Sequence, residues 1–257
     1  MIMKMRIRLL SLLFTVLFFS ACNGAMQPIS PTETPGGDEA ADNAGATTPQ
    51  LTFAPQPCDL ALPEAEDWLA LVCETFASEE SVFPAESQDN EYANYSGAVM
   101  DGEYRLDYTA KNFAGFQRTA LTWFDIATAQ DFALSVTGLM TTDFREISWG
   151  IAFRGSPEKD NFFLFSVYND GTYAFEIFEN GGWIPLISRR PFSGILPDQP
   201  NTLTVIAEGQ NFRFLVNGEA VNFFNGGLLE GMDIMLMVSV KEGASVVYTF
   251  DDLVVQI

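Results

Sequence analysis

From position 100 onward the chain alternates apolar and polar residues in short runs, broken by turn residues every eight to twelve positions. That rhythm predicts strands packed as a β-sandwich or barrel. In the run 147–154, Ile147, Trp149, Ile151 and Phe153 alternate with Ser148, Gly150, Ala152 and Arg154. One face is therefore large and apolar, and the other is small with a terminal charge. The large face is the predicted core, so a charge at Ile151 should abolish folding while one at Ala152 should be tolerated far better. Runs 162–168 and 172–179 flank Asn169-Asp170-Gly171, a hairpin signal because positive φ is cheap there. Runs 202–208 and 211–216 flank Gly209-Gln210, and Asn217-Gly218 leads into 219–223, so two consecutive hairpins make a meander. Runs 233–240 and 245–257 follow, with a turn at Gly243 between them, and the prolines at 157, 191, 197 and 200 fall in connections. No second core, heptad, solenoid repeat or βαβ alternation interrupts the pattern.

The beginning of the chain obeys different rules. Lys4, Arg6 and Arg8 precede an almost unbroken apolar run, 9–19, that ends in Ser20, Ala21 and Cys22. The run is shorter than the ~20 apolar residues that span a bilayer, and small residues beside a cut suit a signal peptidase. Phe19-Ser20-Ala21-Cys22 resembles the lipobox of bacterial lipoproteins, with Phe19 where that motif usually has Leu. The resemblance implies cleavage after residue 21, lipid on Cys22, and a domain anchored on the extracytoplasmic side of a bacterial membrane; an ordinary secreted protein or a retained membrane anchor is the alternative. Residues 22–57 are rich in Pro, Thr and acidic side chains with Phe53 as the one aromatic, too little apolar surface to offset ordering entropy. They read as a disordered tether.

Charge sharpens this division. The 257 residues carry 13 Lys and Arg against 34 Asp and Glu, a formal net charge of -21, which repels phosphate backbones and excludes nucleic acid as a partner. No base lies between Arg8 and Arg105, whereas 16 acids do, so the net negative charge is concentrated ahead of Arg105. The chain contains no His, which removes His-based triads, His metal ligands and imidazole proton shuttles. There is also no phosphate-cradling Gly loop, Cys-x-x-Cys or dinucleotide fingerprint.

With Cys22 lipidated, Cys58 and Cys73 remain as an even pair in a compartment that permits oxidation, and a disulfide between them is the simplest assignment. Ala65, Trp68, Leu69, Val72 and Phe76 fall on one helical face after Pro63 and Glu64, which predicts a short helix in the stapled lead-in 58–76. The alternative is that 71–76 already forms the first strand. A catalytic Cys is disfavoured, because no His is present to activate it.

Several segments together carry a family resemblance. Gly150-Ile151-Ala152-Phe153-Arg154, Phe163-Leu164-Phe165-Ser166-Val167, Asn169-Asp170-Gly171-Thr172-Tyr173, Gly182-Trp183-Ile184-Pro185-Leu186-Ile187, Asn201-Thr202-Leu203-Thr204-Val205, Phe214-Leu215-Val216-Asn217-Gly218 and Phe250-Asp251-Asp252-Leu253 occur in that order. They resemble the concanavalin A-like (laminin-G-like) jelly roll of bacterial surface proteins, near its laminarinase-like and 3-keto-disaccharide-hydrolase-like branches. Gly231-Met232-Asp233-Ile234-Met235-Leu236 departs from the pattern, which tends to have a second Gly just before the Leu. The resemblance covers roughly 76–257 and implies an all-β, two-sheet antiparallel jelly-roll sandwich over 77–257, often with a glycan-meeting concave face and sometimes with a structural calcium ion. It does not fix an activity.

The glucanase branch carries Glu-x-Asp-x-Glu on one strand, and no such triplet occurs here. Glu176 and Glu179, three apart, point to opposite faces, and adjacent Asp251 and Asp252 diverge. No catalytic residue is therefore assigned. The face opposite the inferred core can place Arg154, Ser166, Tyr168, Glu176 and Phe178, with Trp183 on the next strand, a set suited to stacking on and hydrogen-bonding sugars. Each has an ordinary alternative, Trp183 and Tyr168 as sheet-covering residues and Arg154 as a cross-strand partner of Glu176. Asp170, Asp251 and Asp252 are the candidate calcium ligands. Three functions follow: non-catalytic binding of polysaccharide or cell-wall glycan, a 3-keto-disaccharide-hydrolase-like glycoside-processing enzyme, or a structural or protein-binding surface module.

Overall fold

The computed structural model describes residues 58–257 apart from 79–80, 82, 84, 113–115, 120–130, 157–160, 228, 230 and 232. The expected signal peptide, Cys22 and the tether lie outside the described residues. Fifteen strands appear among those described: β1 (Ala70–Glu74), β2 (Glu86–Asp89), β3 (Ala93–Met100), β4 (Glu103–Ala110), β5 (Phe116–Thr119), β6 (Phe132–Thr141), β7 (Ser148–Ser156), β8 (Asn161–Tyr168), β9 (Thr172–Glu179), β10 (Gly182–Pro191), β11 (Asn201–Glu208), β12 (Asn211–Val216), β13 (Glu219–Asn225), β14 (Asp233–Ser239) and β15 (Ser245–Gln256). Sheet A runs β13-β12-β11-β6-β15-β4-β3-β2, with β1 also paired to β15; sheet B runs β10-β9-β8-β7-β14-β5. Every pairing is antiparallel. The long strand β15 lies against β6 along its length, with β4 on its other flank over the first half and β1 over the second.

The alternation predicts which side chains meet between the sheets. Trp149, Ile151 and Phe153 of β7, Phe163 and Phe165 of β8, and Phe175 of β9 face Phe132, Phe212, Phe214 and Phe250 of sheet A, all fully buried or nearly so. Rings interlock across the interface, with Phe175 and Phe214 centroids 4.5 Å apart, Phe165 and Phe214 4.8 Å, and Trp149 and Phe250 5.5 Å. Burying such a side chain contributes about 2 kcal/mol, so this aromatic layer is the main cohesive element. Hairpins form where the sequence placed them: Asn217 (φ 51) and Gly218 (φ 78) turn β12 into β13, and Gly171 (φ 80) closes the turn between β8 and β9.

Three features differ from the sequence expectation. First, of the two readings of the lead-in the strand prevails over the helix: a three-residue 3-10 turn, Pro63–Ala65, is followed by strand β1. Pairing with the tail of β15 satisfies the backbone of 70–74 more completely than an isolated helix of two turns could. The predicted disulfide joins Cys58 to Cys73. Second, Pro185 and Pro191 stand within β10, which is tolerated because β10 is the edge of sheet B. Third, Ala152 is 0% exposed and belongs to a second apolar layer on the outside of sheet B, with Phe162, Leu164, Met235 and Met237. The outer side of that sheet is not the simple solvated face that alternation alone suggests.

Candidate functional site

Sheet B brings together five of the six residues expected to meet sugar. Ser166 and Tyr168 on β8 and Glu176 and Phe178 on β9 alternate with core-facing Phe165, Val167, Phe175 and Ile177, so they share the outer face. Trp183 is the direct cross-strand partner of Phe178, and their rings lie 4.9 Å apart at 51°. Phe162, opposite Phe178 on the other side, stacks on it at 5.3 Å and meets Trp183 edge-on at 5.6 Å. Tyr168, Glu176, Phe178 and Trp183 are half-buried, each keeping some surface toward solvent.

Arg154 is the exception and corrects the expected face assignment. Its backbone takes φ 51 at an irregularity between Phe153 and Ser156, which breaks the alternation and turns the side chain away from the outer face. The guanidinium is buried 4.9 Å over the Phe212 ring and 5.9 Å from Phe132, and Nη2 donates to the Gly209 carbonyl at 2.7 Å. Burial lowers its pKa, and the Asp131 carboxylate opposes that shift. Asp131 also accepts the Gly209 amide at 2.7 Å, so Arg154 and Asp131 together pin the turn between β11 and β12.

The polar groups of the outer face are unevenly provided for. Arg189 of β10 lies 3.9 Å over the Tyr168 ring, pairs with Asp170 and donates to Thr172 Oγ1 at 2.7 Å. Burial raises the Tyr168 pKa first and the nearby Glu176 charge second, while the Ser166 and Ser148 hydroxyls and Arg189 pull it back. Ser166 Oγ is buried, with the Tyr168 hydroxyl as its polar neighbour. Gly150, beside it on β7, admits no side chain, because a Cβ there would come 2.3 Å from the Phe165 carbonyl oxygen and 2.9 Å from Ser166 Cβ. Burial alone raises the Glu176 pKa; no cation offsets it and no neighbouring acid adds to it.

The three aspartates expected to bind calcium do not converge. Asp170 sits on the β8–β9 turn, where it accepts Thr172 N at 3.1 Å and is ion-paired to Arg189. Asp251 accepts the Asp252 amide at 2.8 Å on a bulge of β15 in sheet A, and Asp252 takes φ 50. Burial and the Asp251 charge raise the Asp252 pKa. Among the described residues no group of three or more His, Cys, Asp or Glu is placed to share an ion. The three aspartates therefore do not form one shared site.

A separate polar recess of about 560 Å³ is lined by Met140, Thr141, Thr142, Asp143, Arg145, Asp198 and Ser245. Its wall is tied by Arg145 Nη1 donating to Asp198 at 2.8 Å and by Asn169, which donates to Asp198 Oδ1 at 3.0 Å and accepts its amide at 3.1 Å. Hydrogen bonds from Asn169 and Arg145 lower the Asp198 pKa. This recess holds its acid ionised, whereas the outer face of sheet B pushes its acid toward the neutral form.

No family model matches the sequence, and no curated protein matches it. Solved structures do share the fold. One is an endo-β-galactosidase from Clostridium perfringens that releases GlcNAcα1-4Gal, at TM-score 0.54 and 9% identity over 80% of this chain and 65% of that one. Another is the catalytic domain of an endo-1,3-β-glucanase (laminarinase) from Thermotoga petrophila, at TM-score 0.52 and 9% identity over 74% and 98%. A third comes from work on endo-acting O-glycanases that prominent members of the human gut microbiota express to initiate mucin breakdown, at TM-score 0.51 and 11% identity over 73% and 98%. The chain is a jelly-roll sandwich. In this jelly roll, Phe162, Leu164 and Met237 were absent from the sequence-based set, although Phe162-Phe163-Leu164-Phe165, apolar on both faces of one strand, marked a sheet covered on both sides.

Proposed function

We propose that the chain is an extracytoplasmic lipoprotein, held to a bacterial membrane through lipid on Cys22, whose jelly roll binds glycan or polysaccharide without cleaving it. The carrying observation is the Phe178–Trp183 pair set beside half-buried Glu176 and the buried Ser166 hydroxyl on the outer face of sheet B. Sugar C–H faces stack on such rings while their hydroxyls need polar partners. The Clostridium and Thermotoga proteins, which share the fold, are named for action on glycans, and that supports the direction of the reading without fixing an activity. The lead-in adds support from the other side of the sandwich: Leu62, Ala65 and Trp68 pack on Ala133, Ile206 and Leu215 of sheet A, so the chain enters on the side opposite the candidate face.

A second reading, a glycoside-processing enzyme akin to the 3-keto-disaccharide hydrolases, is favoured by the raised Glu176 pKa, which suits a proton donor. It stands second because paired-carboxylate chemistry needs another acid about 5–10 Å away, and no acid contributes to the Glu176 shift. The test is a glycan array and insoluble-polysaccharide pull-down with the full chain in detergent, with and without calcium, assaying the supernatant for released sugar. Binding without release, weakened about tenfold by Trp183→Ala, is the expected result. Release of sugar moves the enzyme reading to first place. Neither binding nor release from a folded sample leaves a structural or protein-binding module.

A further inference from the structure

Glu176 is set apart from the other acids of the molecule by what surrounds it. Its register neighbours are Leu164 on β8 and Pro185 on β10, and neither side chain carries a hydrogen-bond donor. No hydrogen bond or ion pair reaches its carboxylate from the described residues. Arg189, the cation nearest in kind on this sheet, is committed elsewhere, to the Tyr168 ring, Asp170 and Thr172. One diagonal step away lies Ser166, 2% exposed, whose hydroxyl neighbours that of Tyr168. Two positions along β9 lies Phe178, paired to Trp183.

A carboxylate with no counter-charge among the described residues and two ring faces thus fall within one cross-strand step of each other. A half-buried charge is costly unless a ligand compensates it. An ammonium group does so directly, and aromatic faces beside it attract the same cation. A neutral sugar hydroxyl donates a hydrogen bond but brings no charge, and a uronate or sulfate brings a like one. From Arg105 onward, where every strand of sheet B lies, 18 acids stand against 10 bases, which draws cations in and repels anions.

We infer that this face selects glycans bearing a free amino sugar, with the ammonium seated on Glu176 against the Phe178–Trp183 pair. The inference rests on the glycan-binding reading and narrows it to a substrate class. It is tested by isothermal titration of the full chain with tetramers of glucosamine, N-acetylglucosamine and galacturonate, using native protein, Glu176→Gln, Trp183→Ala and Glu208→Gln. Glu208 is an exposed acid on β11 and controls for non-specific attraction to the acidic surface. The expected result is glucosamine tetramer binding about tenfold tighter than its acetylated counterpart, no measurable galacturonate binding, loss of the amino preference in Glu176→Gln, and its retention in Glu208→Gln. Equal affinity for the amino and acetylated tetramers, or a preference that survives Glu176→Gln, overturns the inference. If all tetramers bind alike and Trp183→Ala weakens them all, glycan binding stands and the amino selectivity falls. If neither these tetramers nor any polysaccharide binds the native chain, both fall together.

Discussion

The two outer faces of the sandwich handle their polar groups in opposite ways. On sheet A, Ser135 and Thr204 pair at 3.0 Å, Thr137 and Thr202 at 2.8 Å, and Thr109 and Ser245 at 2.9 Å, each hydroxyl answering one across the strand boundary. The lead-in then closes part of that face. Fully buried Gln256 accepts the Leu62 amide at 2.8 Å and donates to the Ala65 and Trp68 carbonyls at 2.8 and 3.3 Å, while the Cys58–Cys73 disulfide fastens the segment to β1. On sheet B, an apolar layer of Phe162, Leu164, Met235 and Met237 lies beside the Glu176 carboxylate, which takes no such partner among the described residues. Satisfied groups stabilise a fold, and buried unsatisfied ones are retained where something else completes them. The contrast, more than the aromatics alone, singles out sheet B.

The largest expected effect tests whether the outer side of sheet B is a second packed layer. Ala152→Asp should abolish cooperative folding as fully as Ile151→Asp, because both sites are 0% exposed and a lone charge there has no partner. Near-UV circular dichroism reads the outcome, and a folded Ala152→Asp protein would return that face to solvent. Next comes the closure of sheet A. Gln256→Ala strands the Leu62 amide and the Trp68 carbonyl, while the Ala65 carbonyl keeps the Trp68 amide, and should cost about 2 kcal/mol in denaturant unfolding while leaving glycan affinity unchanged. A loss of affinity equal to that of Trp183→Ala would show that the two faces are not independent.

A smaller effect carries a sign. The Glu176 pKa is raised on folding from an ordinary value of 4.5, so the folded state favours the protonated acid. Whatever stability it contributes is complete below that value and is lost as pH rises through the elevated pKa of the folded state. Glu176→Gln should therefore melt about a degree or two above native protein at pH 7, with the gap closing below pH 4.5. A gap that widens on acidification would contradict the burial of this carboxylate. The smallest effect belongs to the hydroxyl ladder, where Thr202→Val should cost about 0.5 kcal/mol and leave binding untouched.

Much of this was legible from alternation. The core face of 147–153, the hairpin at Asn169-Asp170-Gly171, the meander from β11 to β13 and the Cys58–Cys73 bridge all follow from local pattern, because period-two burial and turn chemistry are set within a few residues. What escaped depends on distant partners. Residues 70–74 satisfy a helical spacing as well as a strand, and pairing to a segment nearly the whole domain away decides between them. The reversal of Arg154 arises from a positive φ at a residue whose type does not announce one. The same holds for the candidate site: Ser166, Tyr168, Glu176, Phe178 and Trp183 were placed on one face by counting, but the lack of a partner for Glu176 among the described residues is a property of the assembled sheet.

β15, the last strand in chain order, occupies the middle of sheet A, between β6 on one flank and β4 and β1 on the other. Every other described strand of sheet A precedes it in the chain, so a chain emerging N-terminus first has no central strand in its larger sheet until β15 is delivered. Contacts such as Cys73 with Val254 span most of the domain, and such long-range closure is slow. Under the export proposed above, the late arrival of β15 would hold back collapse of the larger sheet until strands β1 to β14 have been delivered.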